Sequence, residues 1–346
     1  MSSGWSRVYG SLQLSGPMSK TSTRKAFVEA LRKTIVPNKS KVINVGSGSG
    51  ILSLVAARDL KAEKCVLYEQ NQFFLEMSKK FAAENNIENL VFRDKASMKV
   101  TKAAVKGDIV VSDTFAPFCF EFGLPQIMRH ARQKLLDEKG QKILIPARVT
   151  QMASPVNSPN YNREITGEWS EAKEAFNLDY SYFGNSGLGT YNVLHVKPEH
   201  LADPEGQIFN KIDFENIPLE GLFYETERKF LELVWETNEK SSIYGFCTWW
   251  EADLAEGVKL STNPKEGTDI PYPQVYLPLL KPFECEAGDS LHLNVWVTYK
   301  FDLLDLEWEV TQKRNREVIA KAASSEVRDI YQERDVPQLE EEEGEK

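Results

Sequence analysis

Hydrophobic residues in the first part of the chain fall into short continuous runs, separated by segments with helical spacing. The runs predict buried strands, and the spaced segments predict amphipathic helices. Strands are predicted at 41–45, 65–68, 90–92, 108–112 and 141–145, and helices at 19–33, 51–60, 72–85 and 125–136. Strands that alternate with helices indicate a parallel sheet covered on both faces.

The pattern changes after Pro146, where polar and apolar residues alternate with a period of two. This alternation is typical of antiparallel strands that turn one face to a core. Such strands are predicted at 148–152, 207–213, 244–250, 274–277, 290–299 and 306–310. A helical pattern over 160–180, which carries Trp169, Phe176 and Tyr180, interrupts them.

These patterns divide the chain into four parts. We expect an N-terminal helical segment, a Rossmann-like α/β domain, an antiparallel β domain and an acidic disordered tail. The predicted bounds are 1–34, 35–147, 148–335 and 336–346.

Charge and cysteine content restrict the class of protein. The 346 residues include 51 acidic and 42 basic side chains, for a net charge of −9. This balance argues against direct nucleic-acid binding and leaves a cationic partner open. The four cysteines and four histidines have no metal-ligand spacing, so no metal is expected, and free cysteines favour a cytoplasmic location. No apolar run approaches the ~20 residues of a membrane span, so no membrane association is expected.

The clearest motif is the glycine-rich turn at 46–50, between the first predicted strand and the helix that follows it. Gly46, Gly48 and Gly50 allow a tight turn and let a ligand lie against bare backbone. Glu69 ends the next strand, where a carboxylate can accept both ribose hydroxyls of a nucleoside. The GxGxG spacing favours S-adenosylmethionine over a dinucleotide. The alternative is a turn that only packs helix against strand.

The sequence VINVGSGSGILS at 42–53 resembles the VLDVGCGTGILS motif of the protein arginine methyltransferases. The resemblance covers nearly the whole chain, through Tyr68-Glu69 and the segments 107–113, 145–148, 274–276 and 288–289. It implies an S-adenosylmethionine-dependent, Rossmann-like methyltransferase domain, followed by an antiparallel β-barrel with a dimerisation arm.

The same resemblance implies roles for individual residues. Arg24 keeps the family's spacing from Met18 and would pair with the cofactor's carboxylate, beside Gly46, Gly48, Gly50 and Glu69. The alternative for Arg24 is a solvated helix charge. Residues 156–190 lie where the family has the arm that grips a second subunit. The alternative is that their aromatic side chains cover the barrel.

The substrate clamp departs from the family pattern. Two glutamates on one loop hold the substrate guanidinium in the family, and here the first position is Asp113. Its carboxylate is retracted by roughly 1.5 Å, and such a displacement can cost ~100-fold in rate. The second is assigned to Glu121, eight residues on (121 − 113) instead of nine, while strict spacing selects Phe122. A functional loop of altered register is the alternative.

Other family positions depart as well. The Thr-His-Trp loop is replaced by residues 270–273, Ile-Pro-Tyr-Pro, so its histidine is gone. Asn44 stands at an acidic position of the first strand, and Ser97 at the acid that holds adenine. Of the N-terminal YFxxY motif, at 5–9, only Tyr9 remains. The departures concentrate at substrate and cofactor contacts.

We therefore predict a non-catalytic regulatory subunit that pairs with an active arginine methyltransferase through the arm at 156–190. It resembles the prozyme partners of kinetoplastid arginine methyltransferases, and arginine-rich proteins would be substrates of the complex. The first alternative is an active methyltransferase that uses Asp113 and Glu121. The second is an acidic scaffold that binds arginine-rich proteins.

Overall fold

The computed structural model describes residues 21–217, 229–300 and 303–326. The motif at 5–9, Met18 and the acidic tail at 336–346 lie outside the described residues. Within them, no helix is long and apolar enough to cross a bilayer.

The N-terminal half forms a five-stranded parallel sheet in the order β3-β2-β1-β4-β5. Its strands are β1 (Lys41–Val45), β2 (Lys64–Glu69), β3 (Leu90–Asp94), β4 (Ile109–Val111) and β5 (Ile143–Ile145). The helices are α1 (Thr21–Thr34), α2 (Ile51–Arg58), α3 (Gln72–Glu84) and α4 (Leu124–Lys134). Nearly every side chain of β1, β2 and β4 is buried, as expected for strands covered on both faces.

The C-terminal half is antiparallel. One sheet has the order β7-β12-β10-β6-β8, with β11 paired to β10, and the other has the order β15-β14-β13-β9. The first contains β6 (Arg148–Val156), β7 (Asn192–Leu194), β8 (Gln207–Asp213), β10 (Ser241–Ala255), β11 (Val258–Ser261) and β12 (Gln274–Cys285). The second contains β9 (Lys229–Glu236), β13 (Ser290–Lys300), β14 (Leu303–Arg314) and β15 (Glu317–Ala323). Their inner faces join the main core, so the domain is barrel-like.

Two helices follow β6, in the region where the arm is expected: α5 (Asn160–Phe176) and α6 (Ser181–Ser186). Trp169 of α5 stacks on Phe183 with ring centroids 5.0 Å apart, and on Tyr180 at 5.8 Å. Phe176 and Leu178 nevertheless stay 71% and 54% exposed. The helices therefore leave apolar surface uncovered.

The two halves of the chain are held together by α1 and α4. Lys33 of α1 donates to the Glu256 carbonyl, between β10 and β11, at 2.9 Å. Arg132 of α4 donates to the carbonyls of Phe214, Glu215 and Ile217, just after β8. This packing places the parallel sheet's carboxyl edge against the first antiparallel sheet.

The parallel sheet was predicted more completely than the antiparallel sheets. Strands β7, β9, β11 and β15 were not predicted. In β9, Phe230 and Val234 add apolar residues to the solvent face, which hides the alternation, and β15 exposes two adjacent apolar residues, Val318 and Ile319. Alternation of polar and apolar residues does not identify a strand that carries apolar side chains on its solvent face as well.

Candidate functional site

The turn after β1 has the geometry of a ligand-binding glycine turn. Gly46, Gly48 and Gly50 have φ of 65°, 53° and 78°, in the left-handed region that favours glycine. A Cβ at Gly46 would lie 2.6 Å from Thr114 Cγ2, and one at Gly50 would lie 2.8 Å from Ser78 Oγ. Any side chain at either position would therefore distort the turn.

The Glu69 carboxylate lies against this turn, at the end of β2. Its Oε2 accepts the Gly48 N–H at 2.8 Å, and its Oε1 accepts the Asn71 N–H at 2.8 Å. Two hydrogen bonds use only part of the lone-pair capacity of a carboxylate. Glu69 therefore stabilises the turn and can still accept hydroxyl donors.

Buried polar atoms without partners lie in and beside the turn. Ser47 Oγ and Asn44 Oδ1 are buried, and neither atom has a hydrogen-bond partner within the described residues. Leaving such an atom unsatisfied costs about 1–3 kcal/mol, so a polar ligand here would be favoured. Thr23 Oγ1 of α1 is a third buried atom of this kind. On the first turn of the same helix, Arg24 donates to Thr21 Oγ1 at 3.4 Å.

The loop at 112–123 connects β4 to α4 and carries the two acids predicted to form the clamp. Three side chains of the antiparallel domain donate to its carbonyls. Tyr272 Oη donates to Phe115 at 2.6 Å, Trp250 Nε1 to Ala116 at 3.0 Å, and Gln151 Nε2 to Phe118 at 2.6 Å. The Phe115 and Trp250 rings also stack at 4.6 Å and 11°. The loop is therefore tightly fixed to the neighbouring sheet.

Glu121 is bound into its own loop. Its Oε1 accepts the Phe118 N–H at 2.6 Å, whereas Oε2 is buried without a partner among the described residues. Phe122, which strict spacing would select, is 36% exposed. Glu121 is therefore the inward-facing acid of this loop, and its assignment to the second clamp position stays a prediction.

Asp113 and Glu121 both have raised pKa values of about 7. Burial is the main cause for each, and the charge of nearby Glu69 raises the pKa of Asp113 further. No cationic side chain is among the causes of either shift. A cation placed here would lower both pKa values and hold both carboxylates ionised.

Tyr272 is a site residue that sequence reasoning did not single out. It lies in the segment 270–273, which the resemblance places at the family's Thr-His-Trp loop, and its pKa is raised well above its ordinary value by burial and by the charges of Asp113 and Glu121. Tyr191 also lies near Glu121, whose charge contributes to its raised pKa. The only signal for Tyr272 in the sequence was the altered loop itself.

The structure thus brings together two neighbouring features at the carboxyl edge of the parallel sheet. One is a glycine turn with a carboxylate suited to a nucleoside, and the other is a fixed loop that carries Asp113 and Glu121, two acids with raised pKa values. A crevice at this edge is the usual ligand site of open α/β sheets. Within the described residues, no group of three or more histidine, cysteine or acidic residues is arranged to hold a metal ion.

Comparison with known proteins supports a methyltransferase relation. Residues 20–137 match the family model described as ribosomal protein L11 methyltransferase (PrmA). The chain is 24% identical over 283 residues to the arginine N(omega)-methyltransferase of Streptomyces achromogenes subsp. streptozoticus, covering 80% of this chain and 74% of that protein. It is 25% identical over 320 residues to protein arginine N-methyltransferase 7 of Drosophila ananassae, covering 78% of this chain but only 44% of that protein.

The fold is that of the arginine methyltransferases. The Trypanosoma brucei PRMT1 enzyme-prozyme heterotetrameric complex with AdoHcy contains a chain that matches with a TM-score of 0.68 and 15% sequence identity. The match covers 86% of this chain and 93% of that one. The predicted fold class, a Rossmann-like domain followed by an antiparallel barrel, is confirmed.

Proposed function

We propose that this chain is a non-catalytic regulatory subunit that assembles with an active arginine methyltransferase and supports its activity. The observation that carries the proposal is the fixed loop at 112–123. Glu121 uses one carboxylate oxygen on its own loop backbone, and Asp113 is a methylene shorter than glutamate. A guanidinium clamp needs two carboxylates that reach the same group, and neither acid is well placed to supply one.

The loop's attachment to the barrel supports the same proposal. The carbonyls of Phe115, Ala116 and Phe118 all accept buried side-chain donors, so the loop cannot move toward a substrate without breaking them. The position of the family's histidine, before Gln274, is filled by the segment Ile-Pro-Tyr-Pro. The loop is stable but poorly suited to open and close.

We assign S-adenosylmethionine as the cofactor on the fit of the glycine turn. Gly46 and Gly50 leave room only for backbone, and the unpartnered atoms of Asn44 and Ser47 offer polar contacts beside the turn. Glu69 would accept the ribose hydroxyls. When bound, the cofactor would supply the methyl group for transfer, and in a regulatory subunit it would instead stabilise the fold.

The exposed apolar surface of the expected arm at 156–190 supports the assignment of a partner subunit. Phe176, Leu178 and Phe183 are 71%, 54% and 52% exposed, an unusual concentration of large apolar surface on two neighbouring helices and the turn between them. Aromatic residues of this kind anchor protein interfaces. The T. brucei neighbour is an enzyme-prozyme heterotetramer, and we propose that this chain occupies an equivalent regulatory position beside an active subunit.

Association can be tested by co-expressing the chain with an arginine methyltransferase from the same source and measuring mass by light scattering. We expect a stoichiometric complex for the unaltered chain and its loss in the double variant Phe176→Ser, Leu178→Ser. The matched control is Ile208→Ser, Ile319→Ser, which removes apolar residues of 57% and 47% exposure elsewhere. A chain that stays monomeric with every such enzyme contradicts the proposal.

A second candidate function, an active methyltransferase, is favoured by one observation. Burial raises the pKa values of Asp113 and Glu121 to about 7 on the same loop, and Glu121 Oε2 lacks a partner among the described residues. A substrate guanidinium would lower both pKa values and would donate a hydrogen bond to Glu121 Oε2. Methyl transfer by the purified chain alone, abolished by Glu121→Gln, would favour this candidate over the regulatory one.

A further inference from the structure

The first turn of α4 carries a buried polar atom that the proposed function does not use. Gln126 is the third residue of this helix, and its Oε1 is buried without a hydrogen-bond partner among the described residues. A glutamine at this position can cap the helix by accepting the N–H of the residue before it. That N–H, of Gly123, donates instead to the Phe120 carbonyl at 2.9 Å. Gln126 is therefore a buried acceptor that the helix does not use, and such atoms call for a partner from outside the chain.

The fold places Gln126 at the carboxyl edge of the parallel sheet. Helix α4 follows β4, so its first turn lies at the same edge as the glycine turn after β1. The helix packs against the 3₁₀ turn Ser97–Lys99, which follows β3. One turn after Gln126, His130 Nε2 lies 3.0 Å from the Val100 carbonyl. Because both segments run away from the edge, Gln126 lies on the Ser97 side of this contact, toward the edge.

Ser97 and Gln126 therefore form a polar wall beside the nucleoside crevice. Glu69, which is assigned to the ribose, pairs with Asp94 at the ends of β2 and β3, and Ser97 follows three residues later. Three residues span at most about 10 Å, so a base attached to a ribose at Glu69 reaches this wall. Ser97 is 5% exposed, and neither its hydroxyl nor the Gln126 amide forms a hydrogen bond with another described residue.

Both side chains of this wall are neutral, and each can donate as well as accept a hydrogen bond. A carboxylate only accepts, so an acid at this place would select a purine that carries N–H donors at its 6-position. An amide presents an acceptor and a donor side by side, which matches the amino group and N1 of a 6-amino purine. Turned over, the same amide matches the carbonyl and N1–H of a 6-oxo purine, and a hydroxyl rotates to suit either base.

We propose that Gln126, assisted by Ser97, determines the base specificity of the nucleoside pocket and admits 6-oxo as well as 6-amino purine nucleosides. The inference rests on the assignment of S-adenosylmethionine to the glycine turn. It goes beyond that assignment, because it names the side chains that contact the base and replaces a strict choice of adenine by a relaxed one.

The test is calorimetric titration of the full chain with S-adenosylhomocysteine and with S-inosylhomocysteine, which carry a 6-amino and a 6-oxo purine. We expect the unaltered chain to bind the two compounds within about threefold of each other. Gln126→Leu should weaken both about tenfold, because each loses its contacts with the amide. The matched control is Gln141→Leu, which replaces an exposed glutamine just before β5, at the amino edge of the sheet, and should leave both affinities unchanged.

A thermal melt of each variant separates base recognition from a structural role. Gln126→Leu should keep the melting temperature of the unaltered chain, because the amide satisfies no other group of the protein. A lower melting temperature together with weaker binding would assign Gln126 to helix stability instead. A preference of the unaltered chain for the adenosyl compound above about tenfold, or unchanged affinities in Gln126→Leu, would overturn the inference while leaving the cofactor assignment intact. If neither compound binds, the cofactor assignment fails with it, whereas the association experiment is unaffected.

Discussion

The turn after β1 and the loop after β4 leave neighbouring strands of one sheet, yet they use their backbone in opposite ways. In the turn, Gly46 and Gly50 expose main chain in a left-handed conformation that no side chain blocks. In the loop, the carbonyls of Phe115, Ala116 and Phe118 are bonded to the antiparallel domain. One segment is arranged for a ligand and the other is fixed by its own protein.

Under the proposed function, this difference would explain how one chain keeps the cofactor fold without the associated chemistry. The glycine turn needs only small residues and one carboxylate, Glu69, and all of these are present. A clamp needs two reaching carboxylates on a loop that can adjust. Here the stabilising contacts fall on the loop that would have to move.

The largest expected effect comes from Gly46→Ala. The added Cβ meets Thr114 Cγ2 at 2.6 Å, and the residue keeps φ at 65°, so the free energy of unfolding should fall by about 2–4 kcal/mol. S-Adenosylmethionine affinity, measured by calorimetry, should fall about 100-fold, because the turn is displaced.

Combining Gly46→Ala with Thr114→Ser sharpens this prediction. Serine lacks the Cγ2 methyl group that causes the clash but keeps the hydroxyl that lies 2.8 Å from Ser112 Oγ. We expect the double variant to recover part of the lost stability and affinity. No recovery would mean that the clash with Thr114 is not the cause.

The next largest effect concerns the fixed loop. Tyr272→Phe removes the donor to the buried Phe115 carbonyl and should lower the free energy of unfolding by about 1–3 kcal/mol. Hydrogen exchange of the amides at 113–123 should accelerate in the same variant. Tyr191→Phe is the control, because it removes a phenol near Glu121 that donates to no loop carbonyl. Equal changes in stability and in hydrogen exchange for Tyr272→Phe and Tyr191→Phe would contradict the claim that the Tyr272 hydrogen bond fixes the loop.

The smallest effect is a pH dependence. The folded-state pKa of Glu121 is raised to about 7, so ionisation destabilises the fold as pH rises from about 4.5 through about 7. Glu121→Gln should therefore raise the free energy of unfolding by about 1–2 kcal/mol at about pH 8, and the gain should vanish at about pH 5.

Asp289 provides the opposite case within the same molecule. It accepts hydrogen bonds from Arg314 Nε at 2.8 Å and Gln312 Nε2 at 2.7 Å, which hold its pKa well below the ordinary value. The ionised Asp289 stabilises the fold at pH values above the pKa that it has in the unfolded chain. This stabilisation is lost as pH falls through the lower pKa of the folded state. Asp289→Asn should therefore destabilise at about pH 8, where Glu121→Gln stabilises. Effects of the same sign would contradict the assigned ionisation.

Local sequence pattern predicted the features that depend on neighbouring residues. Continuous apolar runs identified β1, β2 and β4 because strands covered on both faces bury every side chain. The glycine turn was recognisable because its residue types follow from its backbone conformation.

The loop's attachment could not be predicted in that way. Gln151, Trp250 and Tyr272 lie 33, 134 and 157 residues from the carbonyls they bind, so no local pattern connects them. The departure of Asp113 and Glu121 from the double-glutamate pattern remains a prediction from the sequence.

The most direct test of the central claim is radiolabelled methyl transfer to an arginine–glycine-rich peptide. The chain alone, an active arginine methyltransferase from the same source alone, and the two co-expressed should be compared at equal concentration. The account predicts no transfer by the chain alone and a clear gain for the co-expressed pair over the enzyme alone. Transfer by the chain alone that is lost in Glu121→Gln would contradict it.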